Sequence, residues 1–118
     1  MKPHGTQPYR RQNLFGGQGE VLVWDLIAKR SLPPFSAVLS CELEAGGSVG
    51  VHVQQAAHEI VVVTEGEGTA AVDGVAQSLL PGTVVWLPFG KQLALKNDSE
   101  SAPLRYLIIK VKSSQPIE

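Results

Sequence analysis

Short runs of Val, Leu and Ile, each closed within a few residues by Gly, Pro, Asn or Asp, recur along almost the whole chain. Runs of this kind make strands, and turn formers at such close intervals leave no segment long enough for a core helix. Strands are expected at 21–27, 37–44, 50–54, 59–64, 68–72, 77–80, 83–87, 93–97 and 104–111. Asp73-Gly74 is a two-residue hairpin signal, because a type I′ turn needs positive φ at both positions. Pro81-Gly82 suits a turn entering a strand, and Leu32-Pro33-Pro34 a rigid connector. So many short strands in 118 residues leave edges that must be closed or covered. The expected fold class is therefore all-β, a barrel or jelly roll, with a ligand cavity in the barrel as the default site.

At 118 residues and 43% hydrophobic, the chain has the material for one domain with one core and no room for a second. That domain is expected over 1–118, with its core at about 20–112. The first dozen residues and the tail from Ser113 lack periodicity and are expected to be flexible or docked on a partner subunit. A net charge of -1, with scattered Lys and Arg, gives no electrostatic footprint for nucleic acid. No apolar run is long enough for a membrane span, and no apolar stretch follows the amino-terminal basic residues as a signal peptide requires. A single cysteine, Cys41, forms no internal disulfide, which suits a reducing cytoplasm.

The segment 46–66 holds two histidines, a glutamine and a glutamate between glycine turns. Strand alternation puts His52 and Gln54 on one face and Val51 and Val53 on the other. In the next strand Glu59 shares a face with Val61 and Val63, whereas His58 shares the opposite one with Ile60 and Val62. Imidazole, carboxylate and an amide oxygen are donors for a divalent ion such as Fe, Zn, Ni or Mn, so His52, Gln54 and Glu59 are the candidate metal ligands. Hydrogen bonding within a barrel wall is the competing role for His52, and solvation at the rim for Glu59. In 93–97 the same alternation turns Leu93 and Leu95 inward and Lys96 outward.

Cys41 shares parity with Leu39 and Leu43 and is expected to line the interior as an inert thiol. Trp24, Trp86, Phe89 and Tyr106 are expected to serve packing more than an aromatic pocket. Gly16-Gly17-Gln18-Gly19 precedes a strand instead of a helix, so it reads as a flexible lead-in and not a phosphate loop. Glu42, Glu44, Glu65 and Glu67 read as solvated turn charges. Arg105 and Lys110 on the last strand receive no role.

These residues carry a resemblance. Gly46, His52, Glu59 and Gly66 fall at the spacing of the first motif of the cupin superfamily, with Gln54 where a second His stands. Gly82, Pro88, Gly90 and Asn97 fall at the spacing of its second motif, with Leu93 where the last metal His stands. The resemblance spans roughly 37–111 and implies a double-stranded β-helix jelly roll, often dimeric, of the small single-domain cupin type. It also implies that a metal site of three His and one Glu would here keep one His and the Glu, and that Leu93, Cys41 and Asn97 line the cavity.

The expected activity is binding of a small organic molecule in the barrel cavity by a homodimer. One alternative is a metal-dependent oxygenase, or a sugar or hydroxy-acid isomerase or epimerase, working through His52, Gln54 and Glu59. The other is a structural or regulatory dimer.

Overall fold

A computed structural model describes residues 7–28, 30–53 and 57–112. Ten strands follow one another: β1 Tyr9–Gln12, β2 Glu20–Asp25, β3 Phe35–Leu43, β4 Ser48–Val53, β5 Ala57–Glu65, β6 Gly68–Val72, β7 Val75–Leu79, β8 Val84–Leu87, β9 Gln92–Asn97 and β10 Leu104–Lys112. They form two antiparallel sheets, one ordered β1-β2-β3-β10-β5-β8 and the other β4-β9-β6-β7. No helix among the described residues is long and apolar enough to cross a membrane. The jelly-roll architecture expected from the strand rhythm is the one observed.

Alternation builds the core. In β5, Glu59, Val61 and Val63 are buried, and the residues between them are only partly so. Leu43, Cys41, Leu104, Tyr106, Val85 and Leu87 complete the inner face of the larger sheet, and Val49, Ala70, Leu79, Leu93 and Leu95 that of the smaller. These side chains form one apolar cluster shared by both sheets. The Asp73-Gly74 hairpin is as expected: both residues have positive φ, and Val72 faces Val75 across the turn.

Two expectations are corrected at the amino-terminal side. Tyr9–Gln12 had no strand signal, since Tyr-Arg-Arg-Gln shows no apolar alternation, yet it pairs with β2 of its own chain, Tyr9 opposite Val23 and Gln12 opposite Glu20. Backbone pairing needs no apolar side chain, and Arg10 and Gln12 add hydrogen bonds to the Glu20 carboxylate. The glycine segment is likewise no loose lead-in. A turn of 3-10 helix, Leu14–Gly16, crosses β4 so closely that a Cβ on Gly17 would collide with the Ser48 carbonyl, and one on Gly50 with that of Phe15. Here glycine is needed for close approach of two backbones. The tail from Ser113 lies outside the described residues.

The first predicted strand also ends earlier than the sequence suggests. The Asp25 carboxylate accepts a hydrogen bond from the Ile27 amide at 3.2 Å, and Ala28 has φ 51°, so the chain turns instead of extending.

Candidate functional site

A cavity of about 680 Å³ lies between the sheets. That is within the range of small-molecule pockets. His52 reaches it from β4, Glu59 from β5, Leu93 from β9, Cys41 from β3, and Tyr106 and Lys110 from β10.

A bulge brings His52 there. Val49 faces Leu95 and His52 faces Leu93, so β4 spends one more residue than β9 over this interval. Val49 and His52 therefore both point inward, and Val51 between them is 62% exposed. The His52 Nδ1 lies 3.0 Å from the Gly50 carbonyl oxygen. That contact places the proton on Nδ1 and leaves Nε2 as an acceptor. The ring stacks on Phe15, centroids 4.1 Å apart and 13° from parallel. Burial lowers its pKa below the usual histidine value, the Gly50 carbonyl opposes this, and the Lys110 charge adds a little to it.

Glu59 is 3% exposed, and its Oε1 lies 3.5 Å from the Lys110 Nζ. Burial raises its pKa above the usual carboxylate value, and Lys110 works against that rise by charge and hydrogen bond. Burial first, then the Glu59 charge, pushes the Cys41 thiol up to about 12, with Lys110 opposing. A thiol held protonated in this way is no nucleophile. Tyr106, also buried, is raised well above the usual phenol value, chiefly by burial.

Leu93 (1% exposed) and Cys41 (3%) line the cavity, whereas Asn97, expected beside them, does not. Its Nδ2 donates to the carbonyls of Leu43, Glu44 and Ala102 at 3.2, 3.1 and 2.9 Å, and its Oδ1 accepts from the Ser99 amide. Asn97 thus ties the β3–β4 turn to the β9–β10 loop, a structural role that places its amide outside the cavity. His58 faces away from the cavity and accepts a hydrogen bond from the Phe89 amide at 2.9 Å. Of the four aromatics singled out from the sequence, Tyr106 alone lines the cavity; Trp86 is 59% exposed.

Gln54 lies outside the described residues. Among the described ones, His, Cys, Asp and Glu form no group of three that could hold a metal ion. Among the described residues, His52 and Glu59 are the candidate donors on the cavity wall. Glu59 is engaged by Lys110, and hydrocarbon fills the Leu93 position. Among the described residues these two donors fall short of the three or four protein ligands that a resident divalent ion takes.

Sequence reasoning gave Lys110 no role and missed Phe15, Tyr9 and Arg11, all of which line the cavity. Lys110 was within reach of the alternation that gave Glu59, because it shares parity with Leu104, Tyr106 and Ile108. Phe15, Tyr9 and Arg11 had no such signal, lying on a crossing turn and on a strand without apolar alternation.

Two packed antiparallel sheets with a lined cavity between them define a jelly-roll barrel. The chain belongs to the cupin family: the family model described as Cupin domain matches residues 39–110. An oxalate-binding protein of Thermotoga maritima is 29% identical over 91 residues, which cover 76% of this chain and 75% of that protein. A crystal structure from Thermotoga maritima described as a predicted oxalate decarboxylase superposes with TM-score 0.87 at 25% identity, covering 95% of this chain and 97% of that one. A cupin-2 domain from Rhodospirillum rubrum superposes with TM-score 0.76 at 17% identity, covering 99% of this chain and 77% of that one, and shares the fold.

Proposed function

We propose that this chain is a binding module that takes a small organic acid into its barrel cavity. The observation that carries the reading is the wall itself: a 680 Å³ space lined mostly by hydrocarbon, in which, among the described residues, Lys110, Arg11 and Lys112 outnumber the one carboxylate, Glu59. A cavity of that character attracts an anion and shelters its carbon skeleton. The relative from Thermotoga maritima named for binding oxalate, itself an organic acid, supports the same direction.

The test is a thermal-shift and calorimetric screen of organic acids against the wild type and Leu93→Trp, whose indole fills the cavity from β9. Stabilisation of the wild type that is absent in a folded Leu93→Trp supports the reading; equal stabilisation of both sinks it. On the same reading, untagged and dialysed protein carries far less than one equivalent of metal. Stoichiometric iron, zinc, nickel or manganese, lost in both His52→Ala and Glu59→Gln, would replace acid binding by metal chemistry.

The module acts as a homodimer. The outward positions of the larger sheet form apolar rows instead of a polar surface: Trp86 opposite Ile60 opposite Ile109 opposite Val38, and beside them Val84, Val62 and Leu107. Val84 and Trp86 are 51% and 59% exposed, and a second copy of the same face covers such a surface self-complementarily. Light scattering at micromolar concentration reads the mass directly; a monomer would contradict this arrangement.

A further inference from the structure

We infer that the ligand is an amphipathic monocarboxylate, an acid with an extended hydrocarbon body, and that a compact dianion such as oxalate is not what this cavity is shaped for. The inference rests on the reading of the cavity as an organic-acid site and specifies which acids.

The wall changes character with depth. Most of its buried part is hydrocarbon: Val21, Val49, Leu93 and Leu95 are each under 5% exposed, with Val23 at 5% and Ile108 packed against the same cluster, while Glu59, held by Lys110, and the Cys41 and Tyr106 side chains are the buried polar members. Its exposed part carries the cations Arg11 on β1 and Lys112 on β10, together with Tyr9, Ser36 and the apolar Phe15 and Val53. A dianion without C–H bonds has nothing to lay against the deep wall and would leave its own charge desolvated there. An acid with a hydrocarbon tail satisfies both zones, tail inward and carboxylate at the rim.

Lys110 does not take the carboxylate. It sits against Glu59, and a second carboxylate brought there would face a buried one. Arg11 and Lys112 are different: neither has a carboxylate partner among the described residues. The Arg11 guanidinium rests on the Tyr9 ring, 4.4 Å from its centroid, which holds the group in place without neutralising it. Leu93, 1% exposed and paired with His52 across β4 and β9, adds hydrocarbon to the buried wall.

The test is calorimetric titration with straight-chain carboxylates from propionate to octanoate, the matching alcohols, and oxalate. Affinity for the acids should rise roughly fourfold per methylene until the tail fills the cavity. Each acid should bind up to about fivefold tighter than its alcohol, the value of an exposed ionic contact. Oxalate should bind more weakly than hexanoate. In Arg11→Gln/Lys112→Gln the difference between acid and alcohol should vanish, while the neutral probe N-phenyl-1-naphthylamine binds as in the wild type.

Affinity that is flat with chain length, oxalate binding tighter than hexanoate, or alcohols equal to acids in the wild type would each overturn the inference. The probe separates the two levels. If it binds the wild type but not Leu93→Trp and no acid of the series binds, the accessible cavity stands and the inference falls. If neither probe nor acid binds, the cavity reading falls with it.

Discussion

The two faces of β10 run against the usual order of a barrel strand. Its inward residues after Tyr106 and Ile108 are Lys110 and Lys112, and its outward ones after Arg105 are Leu107, Ile109 and Val111. An ordinary half-buried strand keeps hydrocarbon inside and charge outside. Here the inner face turns polar where the cavity begins, and the outer face turns apolar where the sheet is broadest. On the proposed reading one face of this strand serves a ligand and the other a covering surface, and the Arg105 end keeps ordinary solvent-side ion pairing.

The largest expected effect breaks the outer face. Ile109→Asp places a charge in the middle of the apolar rows, so the particle should fall from dimer to monomer mass in light scattering with its far-ultraviolet circular dichroism retained. An unchanged mass would leave the apolar outer face unexplained.

The inner face should answer next. Lys110→Met leaves the Glu59 carboxylate buried without its cation, and because Lys110 is itself about a third exposed the cost at pH 8 should be reduced to about 1–2 kcal/mol. The sign follows from the Glu59 pKa, which burial raises and Lys110 restrains. With Lys110 gone the folded pKa rises further. The penalty is then present at neutral and alkaline pH and disappears as acid protonates Glu59, toward the unfolded value near 4.5. Denaturant titrations of the variant and the wild type at pH 8 and pH 4 should converge at the lower pH.

Smaller still is the solvent-side end of the outer face. The Arg105 Nε donates to Glu42 at 2.7 Å, and its Nη1 pairs with Glu65. Arg105→Gln should cost under about 1 kcal/mol and leave the dimer intact, because the pairs lie at the edge of the apolar rows. A loss of dimer in this variant would move the interface from the hydrocarbon to the ion pairs.

The finest distinction concerns His52. Burial depresses its pKa below 6.5, so its contribution to stability is present above the unfolded value and lost as pH falls through the folded one. Melting temperature measured from pH 7 to pH 5 should fall less steeply in His52→Gln than in the wild type. Equal slopes would mean that another group governs the acid limb.

Much of this was legible in the sequence because β structure writes its two faces at a period of two. Glu59 with Val61 and Val63 inside and His58 outside followed from parity alone, as did inward Leu93 and Cys41. The same rule, applied to β10, reaches Lys110, but a lone lysine on a last strand looks like any surface charge until the cavity is seen beside it. Asn97 was misplaced because parity reports that a residue points inward and not what it meets there; the carbonyls of Leu43 at the end of β3, Glu44 in the turn after it and Ala102 in the β9–β10 loop converge on its amide. The strand Tyr9–Gln12 was invisible because its order comes from backbone pairing with β2, which leaves no hydrophobic period to read.

The strand rhythm, the jelly-roll class, the hairpin at Asp73-Gly74 and the two faces of β5 were readable from the residues alone, since these depend on local φ/ψ preference and on alternation within a few residues. The tertiary fold set what the residues alone did not: the bulge at Gly50 and Val51 that puts Val49 on the same side as His52, the meeting of Lys110 with Glu59, and the supply of Tyr9, Arg11 and Phe15 to the cavity by the amino-terminal segment. Those outcomes depend on register between strands far apart in the chain and on the close passage of Gly17 over Ser48, and no local pattern encodes a contact whose two halves are set by different segments.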